Sequence, residues 1–146
     1  MKRVYAVEKL CLNCKLCEVY CKTAHSKSKN VIKAYKYETP VPESRIFVEG
    51  DNTASLAFSC RHCEHPACVE ACITGAMVKD PETGIVTNVK ERCIGCMTCL
   101  LVCPYGAIRP GHIAYKCDLC QGETTPACVA NCPNHALVYI EGGSEK

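Results

Sequence analysis

Sixteen of the 146 residues are cysteine, in four runs of four: Cys11, Cys14, Cys17, Cys21; Cys60, Cys63, Cys68, Cys72; Cys93, Cys96, Cys99, Cys103; and Cys117, Cys120, Cys128, Cys132. Each run opens with C-x2-C and closes with C-x3-C. Thiolates are soft metal ligands, and this spacing lets one short loop grip several corners of a cubane iron-sulfur centre. Structural zinc instead takes two ligand pairs set well apart. The third cysteine in C-x2-C-x2-C, as at Cys17 and Cys99, does not fit that habit. Disulfide scaffolds belong to oxidising compartments, and Met1-Lys2-Arg3-Val4-Tyr5 does not open an apolar signal sequence. The expectation is four [4Fe-4S] clusters in a cytoplasmic protein, with a zinc-organised interaction module as the rival class.

The third run, Cys93-Ile-Gly-Cys-Met-Thr-Cys-Leu-Leu-Val-Cys103-Pro104, is the bacterial ferredoxin run C-x2-C-x2-C-x3-C-P. The middle gap is two residues wider in the second run and five wider in the fourth. Cys72-Ile-Thr-Gly-Ala76, Cys103-Pro-Tyr-Gly-Ala107 and Cys132-Pro-Asn-His-Ala136 align, so the repeat extends past the cysteines.

Residues 76–79 and 85–89 read as short strands around the turn Asp80-Pro81-Glu82-Thr83-Gly84. Residues 4–7 and 136–140 are strand-like and could pair with each other. In two-cluster ferredoxins the fourth cysteine of each run serves the other run's cluster. Runs two and three are close in sequence, which leaves runs one and four as partners. The expected ligand sets are Cys11, Cys14, Cys17 with Cys132; Cys117, Cys120, Cys128 with Cys21; Cys60, Cys63, Cys68 with Cys103; and Cys93, Cys96, Cys99 with Cys72. The expected fold is α+β: an outer ferredoxin-like module from residues 1–21 plus 104–146, an inner one from 60–103, and an insertion over 22–59. Within each C-x2-C loop the residue before the second cysteine is Asn13, His62, Gly95 or Leu119. Positive φ is expected at the first three, with Leu119 strained or in another geometry.

All four runs, with the x7 gap of the fourth and Arg61-His-Cys-Glu-His-Pro-Ala-Cys68 of the second, resemble the four-cluster electron-transfer subunits of the dimethyl sulfoxide reductase and formate hydrogenlyase type. The resemblance covers residues 1 to about 141. Cys11 to Cys21, followed by His25 to Tyr35, is most similar to the iron-sulfur subunit associated with carbon monoxide dehydrogenase. The resemblance implies a relay of single electrons between a catalytic redox subunit and a second electron-transfer protein or reductase. Carbon monoxide dehydrogenase is the first choice of catalytic partner. A formate dehydrogenase or hydrogenase complex is the second, and a tungsten aldehyde oxidoreductase the third. A freestanding polyferredoxin is the alternative.

The remaining residues agree with a non-catalytic role. No G-x-G-x-x-G, P-loop or C-x2-C-H motif is present, and residues 24, 75, 106 and 135 are not the third cysteine of a radical-generating triplet. Formal charge is +2, but four oxidised clusters with their thiolates bring it to roughly −6, which disfavours nucleic-acid binding. No apolar run is long enough to span a bilayer. Lys22, Lys27, Lys29, Lys33 and Lys36 make the insertion either a solvated segment or a docking surface for an acidic partner. His25, His62, His65, His112 and His135 read as hydrogen-bonding loop residues rather than ligands, and Lys15, Lys90 and Arg92 as ordinary surface charges. With two Phe and no Trp, the core is small and metal-thiolate bonds must supply much of the stability.

Overall fold

A computed structural model describes residues 1–51 and 53–141. Asn52 and residues 142–146, the last of the expected outer module, lie outside the described residues. The chain is a small α+β fold of short strands and helices. Among the described residues the strands are β1 (Lys2–Ala6), β2 (Phe47–Gly50), β3 (Ser55–Phe58), β4 (Met77–Lys79), β5 (Val86–Asn88), β6 (Ile108–Arg109), β7 (Tyr115–Lys116) and β8 (Leu137–Glu141). The α-helices are α1 (Leu16–Ala24), α2 (Val31–Lys36), α3 (Ala67–Glu70), α4 (Thr98–Leu101) and α5 (Ala127–Ala130).

The strands form four antiparallel pairs, β1–β8, β2–β3, β4–β5 and β6–β7. The two ends of the chain therefore meet, with Val4 opposite Tyr139 and Ala6 opposite Leu137. Past the last rung, Val7 N–H donates to Ala136 O at 2.7 Å, and Val89 N–H donates to Ala76 O at 2.8 Å beyond β4–β5. The strand leaving run four thus meets the strand entering run one in the way that run two meets run three. In the β4–β5 turn, Asp80 closes the loop onto Glu82 N–H and Gly84 takes φ +70°.

Helices of four residues have no stability of their own. Each of α3, α4 and α5 is one turn that carries the third cysteine of its run, started by Pro66, by Met97 at φ +58°, or by Pro126. α1 is longer and carries three residues beyond Cys21, so the ligand-free segment begins inside a helix. α1 packs on α5 and α3 on α4.

The insertion differs from a purely solvated segment. It contains β2 and β3, and it buries Ile46, Phe47 and Val48. Phe47 stacks on Phe58 with centroids 5.6 Å apart, and the Arg109 guanidinium sits 3.5 Å over the Phe47 ring. Ile46 and Val48 belong to the larger core with Val4, Leu119 and Leu137, and Met77, Ile108 and Ala114 form a smaller one. Cysteines are members of both cores, so any cofactor they hold is part of the packing.

Candidate iron-sulfur centres

The backbone around the cysteines repeats. Asn13, His62, Gly95 and Leu119 have φ of +54°, +45°, +71° and +59°. The expectation holds at the first three; Leu119 is strained at a left-handed φ, and its loop differs from the others because Cys120 follows it there at +51°. Such a turn swings amides toward the metal side: His62 N–H points to Cys60 Sγ and Leu119 N–H to Cys117 Sγ, both at 3.4 Å. After the fourth cysteine, Gly75, Gly106 and His135 take φ of +63°, +56° and +52°, closing a turn back to the cysteine carbonyl. Run one lacks this turn because α1 continues through Cys21 to Ala24. Sequence reasoning missed the post-cysteine turn, although the aligned C-x2-G-A and C-x2-H-A segments carry its signal.

The sixteen thiols gather in four groups. Cys11, Cys14, Cys17 and Cys132 line one cavity, walled by Val48, Ala57 and Leu137; we call this group I. Cys21 joins Cys117, Cys120 and Cys128 as group II, where its sulfur is a charged neighbour of all three. Cys60, Cys63, Cys68 and Cys103 line a second cavity with Pro66, Pro104 and Val86, making group III. Cys72 faces Cys93, Cys96 and Cys99 as group IV. Cys132, Cys21, Cys103 and Cys72, the last cysteines of their runs, each lie with three cysteines of another run.

The groups are wide. Four sulfurs around one tetrahedral zinc lie about 3.8 Å apart, given Zn–S bonds of about 2.3 Å. Among the described residues the only set of three candidate ligand atoms within 4.8 Å of one another is His25, Asp118 and Cys120. Cavities of four outspread thiols with inward-turned amides fit a multi-iron cube better than a single ion. Two buried polar groups also fit an anionic guest. His62 Nδ1 accepts the Val86 N–H at 3.0 Å, which leaves the proton on Nε2, and Nε2 has no partner. The other is Lys116, which is 3% exposed and lines the group III cavity.

In the polypeptide alone, burial pushes the thiols of Cys17 and Cys68 up to about 12 and about 11, and those of Cys117 and Cys128 further. Iron must displace these protons, so cluster loading releases acid. Cys21 goes the other way: burial raises it, but His25 and the Arg45 N–H at 3.2 Å outweigh burial. His25 Nδ1 lies 2.8 Å from Cys21 O, and Nε2 lies 3.0 Å from Asp118, whose other oxygen binds Arg45. His25 is accordingly a hydrogen-bonding residue beside group II, and its Asp118 and Arg45 partners were not visible as such in the sequence. The Cys72 thiol is also lowered, since the Met77 amide, the Thr74 hydroxyl and amide and the Ala76 amide overcome the effect of its burial. Lys15 and Met97 hold left-handed turns at the starts of α1 and α4.

Fold, repeated amide-lined loops and four thiol groups together define an iron-sulfur electron-transfer protein. The chain belongs to the 4Fe-4S dicluster domain family, whose pattern matches residues 52–141. It is 36% identical over 157 residues to an iron-sulfur protein of Rhodospirillum rubrum, covering 94% of this chain and 81% of that one. Its identity to the electron transport protein HydN of Escherichia coli K12 is 37% over 150 residues, covering 90% and 83%. The NrfC homolog of Haemophilus influenzae is 36% identical and covers 90% of this chain and 61% of its own. Among solved structures, a chain of the BamBC active-site complex of benzoyl coenzyme A reductase with zinc superposes with a TM-score of 0.50 at 24% identity, covering 100% and 82%. That likeness concerns the fold alone. No helix among the described residues is long and apolar enough to cross a membrane.

Proposed function

We propose that the chain is a non-catalytic relay holding four [4Fe-4S] clusters, one per thiol group, in two nested ferredoxin-like modules. Groups I and II form the outer module and groups III and IV the inner one. The clusters supply one-electron redox chemistry when bound. The protein's own residues set their order and their access to water. Cys17 neighbours Cys128, Cys117 neighbours Cys60, and Cys68 and Cys103 pack with Cys72 and Cys99. The order is therefore I, II, III, IV.

The observation that carries the proposal is the exposure pattern along that order. Cys14 in group I and Cys96 in group IV are exposed, whereas no cysteine of groups II and III is. A wire must be open at its ends and sealed between them, because solvent contact in the middle would leak electrons. Both ends also carry bare apolar side chains: Leu12 is 66% exposed beside Cys14, and Ile94 and Leu101 are 66% and 80% exposed beside Cys96. These suit contact with redox partners. The resemblance of residues 11–35 makes carbon monoxide dehydrogenase the first choice for the catalytic partner, ahead of a formate dehydrogenase, a hydrogenase or a tungsten aldehyde oxidoreductase.

Iron and sulfide analysis of anaerobically purified protein tests the relay, with about 16 iron atoms expected per chain from four four-iron clusters. Zinc in place of iron would refute it. Co-migration with a large catalytic subunit in native extract distinguishes an obligate subunit from a freestanding polyferredoxin.

A further inference from the structure

Lys116 ends β7 immediately before Cys117 and is only 3% exposed. Its ammonium donates to Val86 O and, at 3.2 Å, to Cys117 O. An ammonium has three protons, and among the described residues the third has no acceptor and no carboxylate stands within ion-pair distance. The nearest acidic residue along the chain, Asp118, is already engaged by His25 and Arg45. Burying an uncompensated charge is strongly unfavourable, so a retained buried cation implies a counter-charge.

The position of Lys116 indicates where that counter-charge lies. Lys116 lines the cavity formed by the four cysteines of group III, while its backbone leads into group II. A cluster with four thiolates carries about −2 when oxidised and one more negative charge when reduced. A fixed cation in a low-dielectric core stabilises the more negative state more. Groups I and IV open to solvent at Cys14 and Cys96, where screening weakens such an effect.

We propose that Lys116 is the counter-charge shared by the clusters of groups II and III, and that it raises the reduction potentials of these two inner clusters. The proposal rests on the four-cluster relay. The test is a redox titration followed by electron paramagnetic resonance, with iron analysis, on the whole protein as wild type, Lys116→Met and Lys116→Arg. Met keeps the length of the side chain without its charge, and Arg keeps the charge in another shape. The expected result is two centres shifted to more negative potential in Lys116→Met, the other two unmoved, and the shift largely reversed in Lys116→Arg. Should Lys116→Met fail to load four clusters, full loading of Lys116→Arg still supports the charge. Failure of both variants alike makes Lys116 a packing residue and overturns the proposal. Full iron in Lys116→Met with all four potentials unmoved also overturns it, while leaving the relay intact. Fewer than four clusters in the wild type removes the relay and the proposal together.

Discussion

Residues held at positive φ are where this chain gives up backbone comfort to turn amides toward the thiol groups. Gly95 shows why its position tolerates little else: φ is +71°, and an added Cβ would stand 2.6 Å from His112 O. Gly95→Ala combines left-handed strain of roughly 1–2 kcal/mol with a backbone clash. The expected outcome is earlier loss of the group IV centre in guanidinium, followed by its resonance signal, with the other three released as in wild type. The pair formed by His25 and Asp118 gives a pH prediction. Burial lowers the His25 pKa, but Asp118 and Cys21 raise it more, up to about 9. Asp118 is itself held well below the usual carboxylate range, its burial outweighed by His25 and Arg45. A raised histidine stabilises fully below its unfolded value of about 6.5, and that contribution disappears as pH rises through about 9. Asp118 contributes above its unfolded value of about 3.9 and loses this only toward acid. Denaturation midpoints of the loaded protein should therefore fall as pH rises above about 6.5, and His25→Gln should flatten that fall. Equal slopes in both proteins would show that His25 does not control the alkaline limb.

Among the elements, α1 does the most with the least sequence. Cys17 and Cys21 lie four residues apart on one helix face, yet Cys17 belongs to group I and Cys21 to group II. One helical turn therefore ties two groups of the outer pair together. Cys21→Ser should alter the resonance of the centre at Cys117, Cys120 and Cys128 while leaving that at Cys11, Cys14 and Cys17 in place; damage confined to the latter would refute the crossing. The β1–β8 and β4–β5 pairs were legible because β-branched and aromatic residues flank recognisable turns, or begin and end the repeat. The β6–β7 pair was not legible, since each strand is two residues long and leaves no period to detect. In the insertion, the Arg45 amide binds Cys21 and its guanidinium binds Asp118; neither contact was legible because both partners are remote in sequence. Lys116 was invisible for a related reason, because nothing in a sequence of mixed charge marks one lysine as buried.

For the whole molecule, the division between protein and cofactor is unusual. Cysteines make up a large part of the larger core, where Cys17, Cys21, Cys60, Cys117 and Cys128 are buried beside Val4, Ile46, Val48, Leu119 and Leu137. The strand pairs are short ribbons, which are marginal alone in water, and three of the five helices are four residues long. Cavities lined by Cys11, Cys14, Cys17 and Cys132, and by Cys60, Cys63, Cys68 and Cys103, sit where a core would otherwise be filled. Without iron the cavity walls lose their packing partners, and Lys116 is left buried without a counter-charge. A domain's net stability is only about 5–15 kcal/mol, so losses of this kind at several sites exceed it. Stripping the iron under denaturant-free conditions is therefore expected to unfold the chain as a whole rather than open one loop. The measurement is far-ultraviolet circular dichroism with amide hydrogen exchange on the apo-protein: collapse of the helical signal and uniform loss of protection are expected, including in β1 and β8. Native-like protection of β1–β8 in iron-free protein would mean that the ends of the chain pair without the clusters, and that the polypeptide rather than the metal nucleates the outer module.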